Sequence, residues 1–276
     1  MRVVYLGTSG FAAKVLERLA ETPHRPVLVV TRPDRPAGRG RKLTAPPVAE
    51  LAKQLSLDLD QPDDVNAAEA RARIAAAEPD VVVVCAFGAI LKEPLLSEFE
   101  LLNIHPSLLP RWRGAAPIER AIMAGDAETG VSIMRVTAGL DSGPVCLAAP
   151  EPIRPDDTYG TLAARLETLG ADLLVKALDE RPPCVEQDET ATTYAEKISG
   201  ADRTLDPGAP AAEQERVVRA LSPHIGARLP LPDGTFLGVR QARISGDGTA
   251  LELVEVQPPG GRPMAYSDYL RGHAAR

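Results

Sequence analysis

Aromatic side chains make up only 4% of this 276-residue chain, with a single Trp. Base stacking therefore cannot extend over a large nucleic-acid surface. The three cysteines, Cys85, Cys146 and Cys184, are odd in number and widely spaced, and they make neither a disulfide framework nor a metal-ligand pattern. The four histidines, His24, His105, His224 and His273, are too scattered for a zinc site. No apolar run approaches the ~20 residues that span a bilayer. Met1-Arg2 leads directly into a strand-like run, without the charged region or the length of a secretory signal. The expectation is a cytoplasmic protein with no metal and no membrane contact. Positive charge is also in deficit: the formal net charge is −7, so any nucleic acid must be met by a local basic patch.

What is present is an ordinary globular composition, 44% hydrophobic and 25% charged. Arg2 to Gly7 reads as an apolar strand, Gly7-Thr8-Ser9-Gly10 as a turn and Phe11 to Ala20 as a helix. Val27 to Thr31 is a second buried strand, so the chain opens as a βαβ unit of a parallel α/β sheet. The turn carries Gly7 and Gly10 but no G-x-G-x-x-G, which weighs against a dinucleotide site. Arg32 to Pro47 has no periodicity and reads as a long loop. Between Arg32 and Lys42 it holds five cations (Arg32, Arg35, Arg39, Arg41, Lys42) against Asp34 alone. Arginine forks suit phosphate, but composition leaves a surface loop without a partner as an equal reading. Val48 to Leu55 and Asp64 to Ala77 read as helices, and Leu57 to Leu59 as a third strand. Asp80 to Ala86 is a near-continuous β-branched run, as a strand buried on both faces requires.

The chain is organised around Leu101 to Asp141. Asn103, Ile104 and His105 alternate, so Asn103 and His105 share one face of a strand. Pro106 stops the ladder, Pro117 opens a short helix, Gly130 to Val136 reads as a strand, and Gly139-Leu140-Asp141-Ser142-Gly143 is a glycine-bracketed loop with one carboxylate. An amide, an imidazole and a carboxylate form an acyl-transfer set: two donors for a developing oxyanion and one group to orient the imidazole or accept a proton. Taken singly, each is also an ordinary backbone cap at a strand end.

Farther on, Asp157-Thr158 caps a helix reaching about Asp179, with Leu162, Leu166, Leu169, Leu173 and Ala177 on one stripe. Gln187 to Asp206 is a polar connector. Glu213 to Leu221 is a helix, and Ala227–Leu231, Phe236–Ile244 and Ala250–Val256 are strands separated by tight turns, hence a small β domain. From Thr204 to Arg276 there are eight arginines, no lysines and eight acids, a neutral module.

The run Asn103-Ile104-His105-Pro106-Ser107-Leu108-Leu109-Pro110, then Arg111-Trp112-Arg113-Gly114-Ala115-Ala116-Pro117-Ile118, with Gly139-Leu140-Asp141-Ser142-Gly143, resembles the core of the folate-dependent formyltransferases. Their pattern, Asn-x-His before Ser-Leu-Leu-Pro and an Asp in a later Leu-Asp-x-Gly, is matched at every position. The loop Pro33 to Gly40 resembles the tRNA-contacting insertion of the branch that formylates charged initiator tRNA, which the glycinamide and sugar-nucleotide branches usually lack. Two positions depart from the family habit. Ser9-Gly10 stands where a Pro and an acidic residue are usual, and Phe87 where Tyr is more common.

The resemblance implies a Rossmann-like parallel-sheet catalytic domain over residues 1–186, a linker over 187–206 and an OB-like β-barrel over 207–276 that assists tRNA binding. It implies catalysis by Asn103, protonated His105 and Asp141, and a 10-formyltetrahydrofolate site formed by Phe87, Gly88, Ile90, Ser107, Leu108, Leu109 and Pro110. For Phe87 plain core packing is an equal reading. It also implies tRNA contacts from Arg35, Arg39, Arg41 and Lys42, methionyl initiator tRNA as acceptor, and a monomer. The rivals are an amino-sugar-nucleotide formyltransferase, a dinucleotide-dependent oxidoreductase and a non-catalytic RNA-binding module.

Overall fold

The computed structural model describes residues 1–37 and 42–273. The chain runs β1 (Val3–Gly7), α1 (Gly10–Ala20), β2 (Leu28–Val30), β3 (Arg35–Ala37), β4 (Lys42–Thr44), α2 (Pro47–Gln54), β5 (Leu59–Asp60), α3 (Ala68–Ala76) and β6 (Val81–Cys85). It continues α4 (Leu95–Glu98), β7 (Leu101–His105), β8 (Arg113–Gly114), α5 (Pro117–Ala124), β9 (Glu128–Arg135), β10 (Val145–Pro152) and α6 (Tyr159–Glu180). Last come β11 (Tyr194–Ala195), α7 (Ala211–Ala220), β12 (Ala227–Pro230), β13 (Phe236–Ile244), β14 (Leu251–Gln257), β15 (Met264–Ala265) and α8 (Tyr266–His273). Packing divides it into two units. One holds Met1–Arg113, Gly130–Glu151 and Ala164–Thr193; the other holds Gly114–Thr129, Pro152–Ala163 and Tyr194–Arg276.

The first unit is built on a seven-stranded sheet of order β10-β9-β7-β6-β1-β2-β5. Strands β5, β2, β1, β6 and β7 are parallel, and β9 runs antiparallel to β7. Every residue of β1, β2 and β6 is buried, which is why these segments read as unbroken apolar runs: helices cover a parallel sheet on both faces. The register pairs Gly7 with Cys85 and Val84 with Asn103, so β1, β6 and β7 end side by side. The carboxyl ends of such strands are where open α/β sheets bind ligands. Ser9, at one of the two departures from family habit, caps α1, its Oγ accepting from the Ala12 amide at 3.3 Å. Burial pushes the Cys85 thiol up to about 12, which keeps it an inert core group and not a nucleophile.

The second unit pairs α5 and α7 with an antiparallel sheet of order β12-β13-β14-β15 over a core of Leu205, Val218, Leu221, Ala227 and Val239. Its turns are closed by glycines at positive φ, Gly234 and Gly248. Beside Gly248, the Asp247 carboxylate accepts from the Ser245 hydroxyl and the Thr249 amide, and these bonds hold its pKa down to about 2.

The long helix, the buried strands and the strands of the small β unit lie where the sequence puts them, within one or two residues at each end. Three features differ. Within the stretch read as a loop without periodicity, β3 and β4 form a hairpin, pairing Arg35 with Thr44 and Ala37 with Lys42. Its Gly and Pro content hid strands of three residues each. Helix α3 starts at Ala68, not Asp64, because the Asp64 carboxylate turns back onto the Asn66 amide at 2.9 Å. Cys146 and Cys184, whose spacing shows no disulfide framework, are joined in a disulfide. The juxtaposition comes from Val145 and Val185, which exchange both backbone hydrogen bonds, at 2.8 and 2.9 Å. That pairing sets their neighbours opposite one another.

Candidate active site

Strand β7 delivers Asn103 and His105 to one face, and the loop after β9 brings Asp141 to both. One carboxylate oxygen lies 3.4 Å from Asn103 Nδ2 and the other 3.6 Å from His105 Nδ1. The imidazole is buried, 4% exposed. At 3.6 Å the Asp141–His105 contact is an ion-pair distance, longer than a hydrogen bond. The other ring nitrogen, Nε2, sits 2.8 Å from the Trp112 carbonyl oxygen. A carbonyl only accepts, so Nε2 carries a proton and donates it there. Nδ1 is therefore the ring nitrogen that faces Asp141. Neutral, Nδ1 offers a lone pair; protonated, it becomes a donor whose charge the Asp141 carboxylate balances.

Both groups that flank the imidazole come from strained backbone. Trp112 has φ +63° and Asp141 φ +45°, positions that cost a non-glycine residue about 1–3 kcal/mol each. Surrounding bonds hold them. The Trp112 amide donates to Thr193 Oγ1 at 2.9 Å. The Gln187 side-chain amide donates to the carbonyls of Asp141 and Gly143, at 2.8 and 2.7 Å. Gln187 is itself held by Arg113, 2% exposed, whose Nε and Nη2 donate to its Oε1 at 3.0 and 2.8 Å. Arg113 also pairs with Glu189 through two hydrogen bonds, which hold the Glu189 carboxyl below its usual range.

The turn after His105 is fixed from inside. Ser107 Oγ donates to the Arg111 carbonyl at 2.6 Å. Ser132 Oγ, on β9, donates to the Ser107 carbonyl at 2.8 Å and accepts from the Leu109 amide at 3.1 Å. Both serines are fully buried.

A profile describing formyl transferases matches residues 1–178. Methionyl-tRNA formyltransferase of Halorhodospira halophila is 43% identical, over 98% of this chain and 96% of that one. The chain belongs to the formyl transferase family. Among solved structures, methionyl-tRNA formyltransferase from Clostridium thermocellum shares the fold, with a TM-score of 0.67 at 14% identity over 92% of this chain and 99% of that one. HypX from Aquifex aeolicus, solved in complex with tetrahydrofolic acid, does so with a TM-score of 0.69 at 15% identity, over 98% of this chain and 47% of that one.

The positions expected to serve the folate site of this formyl transferase divide by environment. Gly88, at φ +77°, and Ile90, 76% exposed, lie on the segment that leaves the end of β6. Phe87 precedes them, but it is 3% exposed and belongs to the core cluster that holds Val4, Leu6, Val84 and Leu95. Its carbonyl accepts from Thr8 Oγ1 at 2.7 Å. Leu108, Leu109 and Pro110 are partly exposed, whereas the Ser107 hydroxyl is engaged within the turn. Arg35 and Lys42 are exposed on the β3–β4 hairpin; Arg39 and Arg41 lie outside the described residues. No group of three or more His, Cys, Asp or Glu among the described residues could hold a metal ion, and no helix among them is long and apolar enough to cross a membrane.

Gln187, Ser132, Thr193 and the Trp112 carbonyl are not among the site groups expected from the sequence. Ser132 was detectable in principle, as a hydroxyl set among the apolar residues of a buried strand. Gln187 left no local signal, and Trp112 and Thr193 stand in segments that resemble the family without anything there marking these contacts.

Proposed function

We propose that this protein is a methionyl-tRNA formyltransferase, moving the formyl group of 10-formyltetrahydrofolate to the amino group of methionine on initiator tRNA. The observation that carries the reading is the convergence of Asn103 and His105 on the two oxygens of the Asp141 carboxylate. The names of its full-length relatives support the choice of acceptor.

In the reaction the amine nitrogen attacks the formyl carbon, and the carbonyl becomes an oxyanion. Asn103 Nδ2–H and His105 Nδ1–H donate to that oxygen, and Asp141 balances the imidazolium and helps take the ammonium proton. Collapse breaks the bond to the folate nitrogen, which leaves with a proton. The backbone of Phe87–Ile90 and the Leu108–Pro110 turn form the donor pocket.

The catalytic domain is assigned to residues 1–186, with 187–206 a linker. Residues 207–276 are a barrel-like module that assists tRNA binding in a monomeric cytoplasmic enzyme. Its neutral charge leaves the phosphates to Arg35, Arg39, Arg41 and Lys42. Each phosphate neutralised contributes about −0.7 to −0.9 to the slope of log affinity against log salt. Arg39→Ala with Arg41→Ala is expected to flatten that slope by roughly 1.5 units, and to abolish formylation of charged tRNA at physiological salt while folate binding persists. A sugar-nucleotide acceptor is too small to span loop and cleft, so an unchanged slope together with formylation of an amino sugar nucleotide would support that rival.

A further inference from the structure

We infer that Gln187 is a positioning residue for the formyl-transfer reaction, acting through the Asp141 loop; the inference rests on the function proposed above. The Asp141 carboxylate must meet Asn103 and His105 from a residue held at φ +45° between two glycines. Its flanking residue Leu140 is 63% exposed and offers no packing anchor. Where such a carboxylate points depends on what holds the backbone of its loop.

Gln187 supplies that hold. One amide nitrogen bonds two carbonyls, those of Asp141 and Gly143, which spans the carboxyl half of the loop. The amide is aimed, because its oxygen sits in the fork of the buried Arg113 guanidinium. It is also delivered by a short tether. Two residues past Gly143, Val145 pairs with Val185, two residues before Gln187, and Cys146–Cys184 closes the next rung. Loop and clasp are thus the two arms of one antiparallel connection, and their separation is fixed by backbone bonds. An amide is required here. The side chain accepts from Arg113 at one end and donates to two carbonyls at the other, and among residues of this length only glutamine does both.

Gln187→Glu separates the two ends. The carboxylate keeps the Arg113 contact but presents acceptors to two carbonyls, so the clasp is lost while the fold is kept, and Tm serves as the check. We expect kcat to fall by about 10- to 100-fold, with KM for the folate donor and for charged tRNA within about twofold. Because Gln187 acts only through the Asp141 carboxylate, Gln187→Glu in an Asp141→Asn background should cost less than about threefold, the non-additivity of groups working as one unit. Hydrogen exchange of the 139–143 peptide should quicken in Gln187→Glu. Wild-type kcat in Gln187→Glu, or full multiplication of the two losses, overturns the inference. Should the wild-type protein transfer no formyl group, the functional reading fails instead, and the exchange measurement alone decides the clasp: faster exchange supports it and unchanged exchange overturns it.

Discussion

His105→Ala is expected to lower the rate of formyl transfer by about 100- to 1000-fold, the loss of roughly 2.7–4 kcal/mol that follows removal of one oxyanion donor. Asn103→Ala should cost a similar factor, and Asp141→Asn should fall in the same range because it leaves the His105 charge without its counter-ion at 3.6 Å. In the proposed mechanism all three act on the transition state, so kcat should carry the loss and KM for charged tRNA should stay nearly constant. The imidazole also donates through Nε2 to the Trp112 carbonyl. His105→Ala thus also removes a hydrogen bond to that carbonyl, at about 0.5–1.5 kcal/mol of stability. His105→Gln, whose amide can still donate to that carbonyl, should recover stability without recovering rate. Single-turnover kinetics beside urea melts separate the two effects; turnover of His105→Ala within tenfold of wild type would remove the imidazole from the mechanism.

Gly143→Ala should be the most damaging single-methyl change near the site. A Cβ there would stand 2.0 Å from the Arg135 carbonyl oxygen and 3.1 Å from Thr137 Cγ2. The first obstacle is backbone of β9 and cannot rotate away, so the loop must move. Overpacking of this kind costs about 1–3 kcal/mol, and the displacement carries the Gly143 carbonyl out of reach of Gln187, 2.7 Å away. Loss of kcat by tenfold or more, together with a lower urea midpoint, is the expected result. Gly10→Ala is the control, since a Cβ at Gly10 meets nothing within 4 Å and should leave both quantities unchanged.

Much of this arrangement is legible in the chain itself. The alternation Asn103-Ile104-His105 dictates a shared face, and the structure places one carboxylate against both side chains. The β-branched runs could only be strands covered on both sides, and they are. The clasp is different in kind. Gln187 is 46 residues from Asp141 and 74 from Arg113, and in sequence it stands in a polar connector like any other solvated amide. No local periodicity reports a side chain whose partners are distant carbonyls. The disulfide was hidden for a related reason. Three cysteines allow three pairings, and the one adopted depends on Val145 meeting Val185. Phe87 illustrates the ambiguity of apolar residues at strand ends: the same pattern serves a ligand pocket or a core, and Phe87 belongs to the core cluster.

The most direct measurement is of the reaction. The protein, 10-formyltetrahydrofolate and methionine-charged initiator tRNA are combined, and the aminoacyl ester is analysed for N-formyl-methionine, with an amino sugar nucleotide as the alternative acceptor. Formyl-methionyl-tRNA formed by the wild type, abolished by His105→Ala and absent without the folate donor, is the predicted result. Formyl transfer to the sugar nucleotide with charged tRNA left unmodified would contradict the account.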